Sequence, residues 1–78
     1  MNNLKYFRRT INVNQKDIGD LVGVGQSTID RYENGKRKVT VPMAWKIVQA
    51  LNQLGAACSF SDVFPEPQLK LISAKNKA

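Results

Sequence analysis

Histidine is absent from the 78-residue sequence, and cysteine occurs once, as Cys58. The side chain most used as general base and metal ligand is therefore missing, and no internal disulfide can form. The simplest role for Cys58 is that of a small buried hydrophobe. A chain without cross-links suits a reducing compartment, so the cytoplasm is the expected location. No apolar run approaches the ~20 residues of a membrane span, and no apolar leader follows Met1. Acidic residues are few, six Asp+Glu against twelve Lys+Arg, which leaves a formal charge of +6. That balance favours a polyanionic partner. The carboxylates are scattered and no glycine-rich loop opens a helix, so neither enzymatic chemistry, a cofactor, a metal nor a small-molecule ligand is expected. A chain this short buries only about 60% of its unfolded surface, enough for one small core.

What is present is helical periodicity. Leu4, Phe7 and Ile11 recur at helical spacing with Lys5, Arg8 and Arg9 between them, and Asn12 suits a left-handed helix end. Asn14 can cap a second helix with Asp17 at its positive end, an apolar face from Ile18, Leu21 and Val22, and a stop at Gly23. Val24 plugs the following turn. Gly25, an inferior cap, precedes a third helix over Gln26–Glu33 that turns Ile29 and Tyr32 inward and Gln26, Ser27, Asp30 and Arg31 outward. Asn34 and Gly35 end it and open a cationic loop at 36–39. Thr40 caps a fourth helix with Pro42 in its first turn, predicted to face the core through Val41, Ala44, Trp45, Val48 and Leu51 and to end near Gly55. A short fifth helix over 59–64 is expected to deliver Phe60, Val63 and Phe64 to the core, and Trp45 and Phe60 read as core rather than as stacking platforms. Pro65 and Pro67 then break the helical pattern; Leu69, Leu71 and Ile72 flank Lys70 in a strand-like run at 68–72, and disorder is expected after it. The predicted organisation is an all-α, five-helix domain at 1–64 with a tail at 65–78.

The stretch 15–34, QKDIGDLVGVGQSTIDRYEN, carries the functional signal. Two short helices that cross steeply need a very small residue where they touch, which Gly19 supplies, and a turn residue able to take positive φ, which Gly23 supplies. Ile18, Val22, Val24, Ile29 and Tyr32 are in register to fasten the pair to a core. This stretch resembles the helix-turn-helix of the Cro and phage-repressor (Xre) family, and Glu33-Asn34-Gly35-Lys36 resembles that family's ENGK signature. The resemblance covers about residues 4–64 and implies a five-helix, lambda-repressor-like fold that binds double-stranded DNA.

By position, the resemblance implies base contacts from Gln26, Ser27 and Arg31 with a lesser one from Thr28. It implies phosphate contacts from Gln15, Asn34, Lys36 and Lys38, and an Arg8 pair to the signature glutamate, here Glu33. The side-chain chemistry agrees. Gln grips adenine and Arg grips guanine at two points each, while Lys36, Arg37 and Lys38 suit phosphates, which position a protein without reading sequence. Asp30 suits orientation of Arg31 rather than base reading, and Arg31 could alternatively pair with outer-face carboxylates. Gly19 stands where the family usually has alanine, a cost of up to ~1 kcal/mol in helix propensity, and Gly25 where it has Ser or Thr.

One recognition helix spans too few base pairs to find a single genomic site, so a homodimer on a palindromic operator is expected. Its contact is expected from Leu69, Leu71 and Ile72 paired as an antiparallel ribbon over Phe64. The function so read is a Cro-like phage or prophage repressor. The alternative is an antitoxin that autoregulates its operon, for which the tail is short.

Overall fold

The computed structural model describes residues 2–65, in which five helices follow one another: α1 Leu4–Thr10, α2 Gln15–Val22, α3 Gln26–Glu33, α4 Val41–Gln53 and α5 Phe60–Val63. No strand occurs among the described residues. The tail from 66 onward, with the expected dimer residues Leu69, Leu71 and Ile72 and the strand at 68–72, lies outside them.

Local hydrogen bonds explain where the helices start. Asn14 accepts from the Asp17 backbone N–H while the Asp17 carboxylate accepts from the Asn14 N–H, so two orphan donors are satisfied reciprocally. Ser59 and Asp62 repeat that box before α5, and the Thr40 hydroxyl accepts from Met43 N–H at the head of α4. Gly25 offers α3 no side-chain cap, as its type dictates. The ends follow the same logic. Gly35, at φ 71°, lets Lys36 N–H reach the Arg31 carbonyl at 2.9 Å and close α3. Asn12 takes the left-handed conformation after α1, at φ 58°.

The core gathers Leu4, Ile18, Val22, Ile29, Tyr32, Ile47, Val48, Ala50, Leu51, Cys58 and Val63 from all five helices and the α4–α5 loop. Three expected core positions are corrected. Trp45 is 50% exposed, Val41 61% and Leu21 44%. On α4 the inward stripe is Ala44, Ile47, Val48 and Leu51, so Trp45 falls about 100° off it; Val41, in the first turn, is left uncovered. Trp45 instead lies over Phe60, with ring centroids 4.6 Å apart, and Phe60 meets Phe64 at 5.6 Å. Leu21 lies on the flank of α2, where it stays exposed.

Asparagines close the remaining gaps. Asn52 donates to the Cys58 carbonyl at 2.8 Å and accepts from Cys58 N–H at 2.9 Å, fastening the α4–α5 loop as a paired backbone would. Asn3 N–H donates to the Val63 carbonyl at 2.7 Å and its side chain to the Asp62 carbonyl at 2.9 Å. Asn2 donates to the Tyr32 carbonyl at 3.0 Å. The first described residues are thereby tied to both α3 and α5.

Candidate nucleic-acid interface

α2 and α3 are joined by Gly23, Val24 and Gly25, and close approach governs their crossing. Gly23 sits at φ 83° and turns the chain. A Cβ on Gly19 would lie 2.6 Å from the Val24 carbonyl oxygen, so only glycine admits this turn as it stands. In this chain the glycine has a steric reason, beyond the smallness that alanine also offers. Ile29 and Tyr32 are buried beneath α3, which leaves its opposite face to solvent.

On that face Gln26, Ser27, Asp30 and Arg31 are exposed, as expected, and Thr28 is half-buried. Arg31 makes no ion pair among the described residues, so its fork of donors is unspent. Asp30 does not orient Arg31; it accepts from the Gln15 side-chain amide at 3.0 Å. Lys36, Arg37 and Lys38 follow α3 as an exposed loop, and they too make no ion pair among the described residues. The Arg37 guanidinium lies 6.0 Å from the Tyr32 ring centroid, a contact that the sequence did not announce. Asn34 gives one amide hydrogen to the Asp30 carbonyl at 2.9 Å, leaving a second for an outside acceptor.

Behind this face α3 is seated on α1 by an ion pair. Arg8 Nε lies 2.6 Å from Glu33 Oε2 and Nη2 donates to Oε1 at 3.2 Å, while Nη1 donates to the Val13 carbonyl at 2.9 Å. The pair is largely dry, with side-chain exposures of 12% and 1%. Gln15 Nε2 donates to the same Glu33 Oε1 at 3.0 Å, and Gln26 Nε2 to Gln15 Oε1 at 3.4 Å. Both amide hydrogens of Gln15 are therefore committed, so it can donate to a phosphate only by releasing a carboxylate. On the exposed side of α2, Lys16 and Asp20 pair at 2.9 Å. The hydrogen bond that Lys16 donates to Asp20 holds the lysine above its ordinary pKa.

Among the described residues no cluster of three or more His, Cys, Asp or Glu is placed to hold a metal, and no helix is long and apolar enough to cross a membrane. The geometry is that of an exposed helix face followed by a cationic loop, with Arg31 outside any ion pair among the described residues and Gln26 hydrogen-bonded to Gln15. It suits insertion into a groove.

A family model described as Helix-turn-helix matches residues 4–54, which is 51 of the 78 residues. Among curated proteins, the chain is 38% identical over 48 residues to an uncharacterized HTH-type transcriptional regulator of Methanocaldococcus jannaschii, a stretch covering 62% of this chain and 73% of that protein.

Proposed function

Because the chain belongs to the Cro/C1-type helix-turn-helix family of DNA-binding regulators, we propose that it is a sequence-specific repressor of Cro-like phage or prophage type, acting as a homodimer on palindromic operators in the cytoplasm. The observation that carries the reading is the outer face of α3, where Gln26, Ser27 and Arg31, which makes no ion pair among the described residues, stand exposed beside Lys36, Arg37 and Lys38. In the major groove, Arg31 matches guanine O6 and N7 and Gln26 matches adenine N6 and N7. Ser27 and Thr28 add smaller contacts, and Asn34 and the cationic loop take phosphates; Gln15, with both amide hydrogens held by carboxylates, adds a phosphate contact only where it releases one of them.

The dimer contact is assigned to Phe64, Leu69, Leu71 and Ile72. In support, Phe64 is only half-buried and continues the Trp45–Phe60 aromatic row to the point where the tail departs at Pro65.

Selection of a preferred duplex from a randomised pool, followed by competition against scrambled duplex, tests the reading. Arg31→Ala and Gln26→Ala should each cost about 1–3 kcal/mol on the selected site and far less on scrambled DNA. Equal losses on both would remove these residues as readers. Sedimentation of a chain ending at Glu66 tests the assembly, since a truncated protein still dimeric at the same concentration would exclude the tail as the interface.

A further inference from the structure

The side-chain amide of Gln15 lies between two carboxylates. Its nitrogen is 3.0 Å from Asp30 Oδ1 and 3.0 Å from Glu33 Oε1. Carboxylate oxygens accept and an amide oxygen also accepts, so turning the amide over would set like against like at both contacts. The polarity of Gln15 is therefore fixed, and its oxygen is all it has to offer Gln26. Gln26 must answer as a donor, which it does through Nε2 at 3.4 Å. That leaves Gln26 one N–H and its own oxygen along the outer edge of the amide. One donor beside one acceptor is the pattern that complements N7 and N6–H of adenine.

From this arrangement we infer that Asp30 is a positioning residue for specificity: acting through Gln15, it sets the amide polarity of Gln26 and so selects adenine over guanine. The inference rests on the proposed reading of α3 as the recognition helix. Glu33 holds the other hydrogen of Gln15, but it is also the buried partner of Arg8, so removing it would disturb the seat of α3. Asp30 is exposed and carries no ion pair among the described residues. Without its carboxylate one hydrogen of Gln15 is released, and the amide can swing so that this N–H reaches Gln26 while the other hydrogen stays on Glu33 Oε1. Gln26 then accepts with its oxygen and presents only N–H groups to the groove, which suits the two acceptors of guanine, O6 and N7.

The test uses the full chain and a duplex selected from a randomised pool. The base pair read by Gln26 is the one whose preference disappears with Gln26→Ala. Adenine and guanine are then exchanged at that pair, and binding is measured for the unaltered chain, Asp30→Ala and Asp30→Asn. The unaltered chain should prefer adenine by about tenfold or more. Asp30→Ala should lower that ratio by about fivefold, toward guanine. Asp30→Asn loses the charge but keeps an oxygen for Gln15, so it should hold the ratio within about twofold. Loss of repulsion toward phosphate should raise the affinity of both variants for random duplex alike, which separates charge from positioning. An unchanged ratio in Asp30→Ala, or an equal fall in Asp30→Asn, overturns the inference while the selected site still upholds the proposed function. If the unaltered chain enriches no duplex, or no pair depends on Gln26, the proposed reading itself fails and the role of Asp30 falls with it.

Discussion

Replacing Arg8 by methionine keeps most of the aliphatic stem and deletes the guanidinium. Three hydrogen bonds go with it, two to Glu33 and one to the Val13 carbonyl. The remaining carboxylate is 1% exposed at its side chain and keeps only the Gln15 amide as a partner. Breaking a buried pair from one side costs about 3–5 kcal/mol, because the surviving charge stays desolvated. The whole domain, at about 0.05–0.15 kcal/mol per residue, has only some 4–12 kcal/mol to lose. With a urea slope near 1 kcal/mol/M, the Arg8→Met midpoint should fall by roughly 3 M, and weaker starting stability would leave the variant largely unfolded. Glu33→Leu should be damaging as well, since it strands Arg8 at 12% exposure. The double variant Arg8→Met/Glu33→Leu removes both charges together and should recover much of the loss, giving a coupling of about 2 kcal/mol or more in a double-mutant cycle. Single losses under ~1 kcal/mol, or a double loss equal to the sum of the singles, would refute the view that this pair seats α3 on α1.

Gly19→Ala gains up to ~1 kcal/mol of helix propensity but presses a methyl against the Val24 carbonyl at 2.6 Å, so a net loss of about 1 kcal/mol and a Tm lower by roughly 4–8 °C are expected; a raised Tm would show that the turn yields freely. Asn52→Ala leaves the Cys58 N–H and carbonyl without their partner and should cost about 1–3 kcal/mol in chemical denaturation, with no change in DNA preference once folded. Burial, then the Asp62 charge, pushes the Cys58 thiol above its ordinary value of 9.0. The folded state thus favours the neutral thiol, so its contribution to stability is whole below pH 9.0 and fades as pH rises toward the folded value; alkylation at pH 8 should track unfolding, and rapid labelling of folded protein would contradict this. Neutralising Lys36 or Lys38 should lower the log–log salt slope of DNA binding by about one and weaken cognate and random duplex alike; an unchanged slope would return them to plain solvation.

The helix boundaries were legible because their determinants lie three or four residues apart. Asn14 with Asp17, Thr40 before α4, and Gly35 after α3 each place a cap within a single turn, and α3 runs over Gln26–Glu33 as the sequence predicts. The inward faces of α2 and α3 were legible at Ile18, Val22, Ile29 and Tyr32 for the same periodic reason. What escaped was set by distant neighbours. The stripe Ala44, Ile47, Val48 and Leu51 has plain helical spacing and leaves Trp45 off it; what the local pattern does not give is that Phe60 of α5 lies against Trp45. Asn2, Asn3 and Asn52 read as ordinary polar residues until the chain brings carbonyls to them. At the interface, the family resemblance pointed to Gln15, Gln26 and Arg31, and the side-chain chemistry of Gln26 and Arg31 agreed with it. The Gln15–Asp30 contact was not visible, because it spans 15 positions and two helices.

The hydrogen bonds from Asn3 to Asp62 and Val63 give the domain the topology of a ring. Two points 59 positions apart along the chain come within one hydrogen bond of each other, a closure that costs roughly 3–4 kcal/mol of chain entropy. A closure of that span rewards the chain only after the intervening helices have packed, which places the junction late in folding. It also makes the numbering of the helices largely a matter of where the ring is cut. A chain joined across this junction and opened in the exposed loop at 36–38 would keep every helix and every contact of the core. Anything fused before Asn3 or after Val63 leaves the domain by the same door.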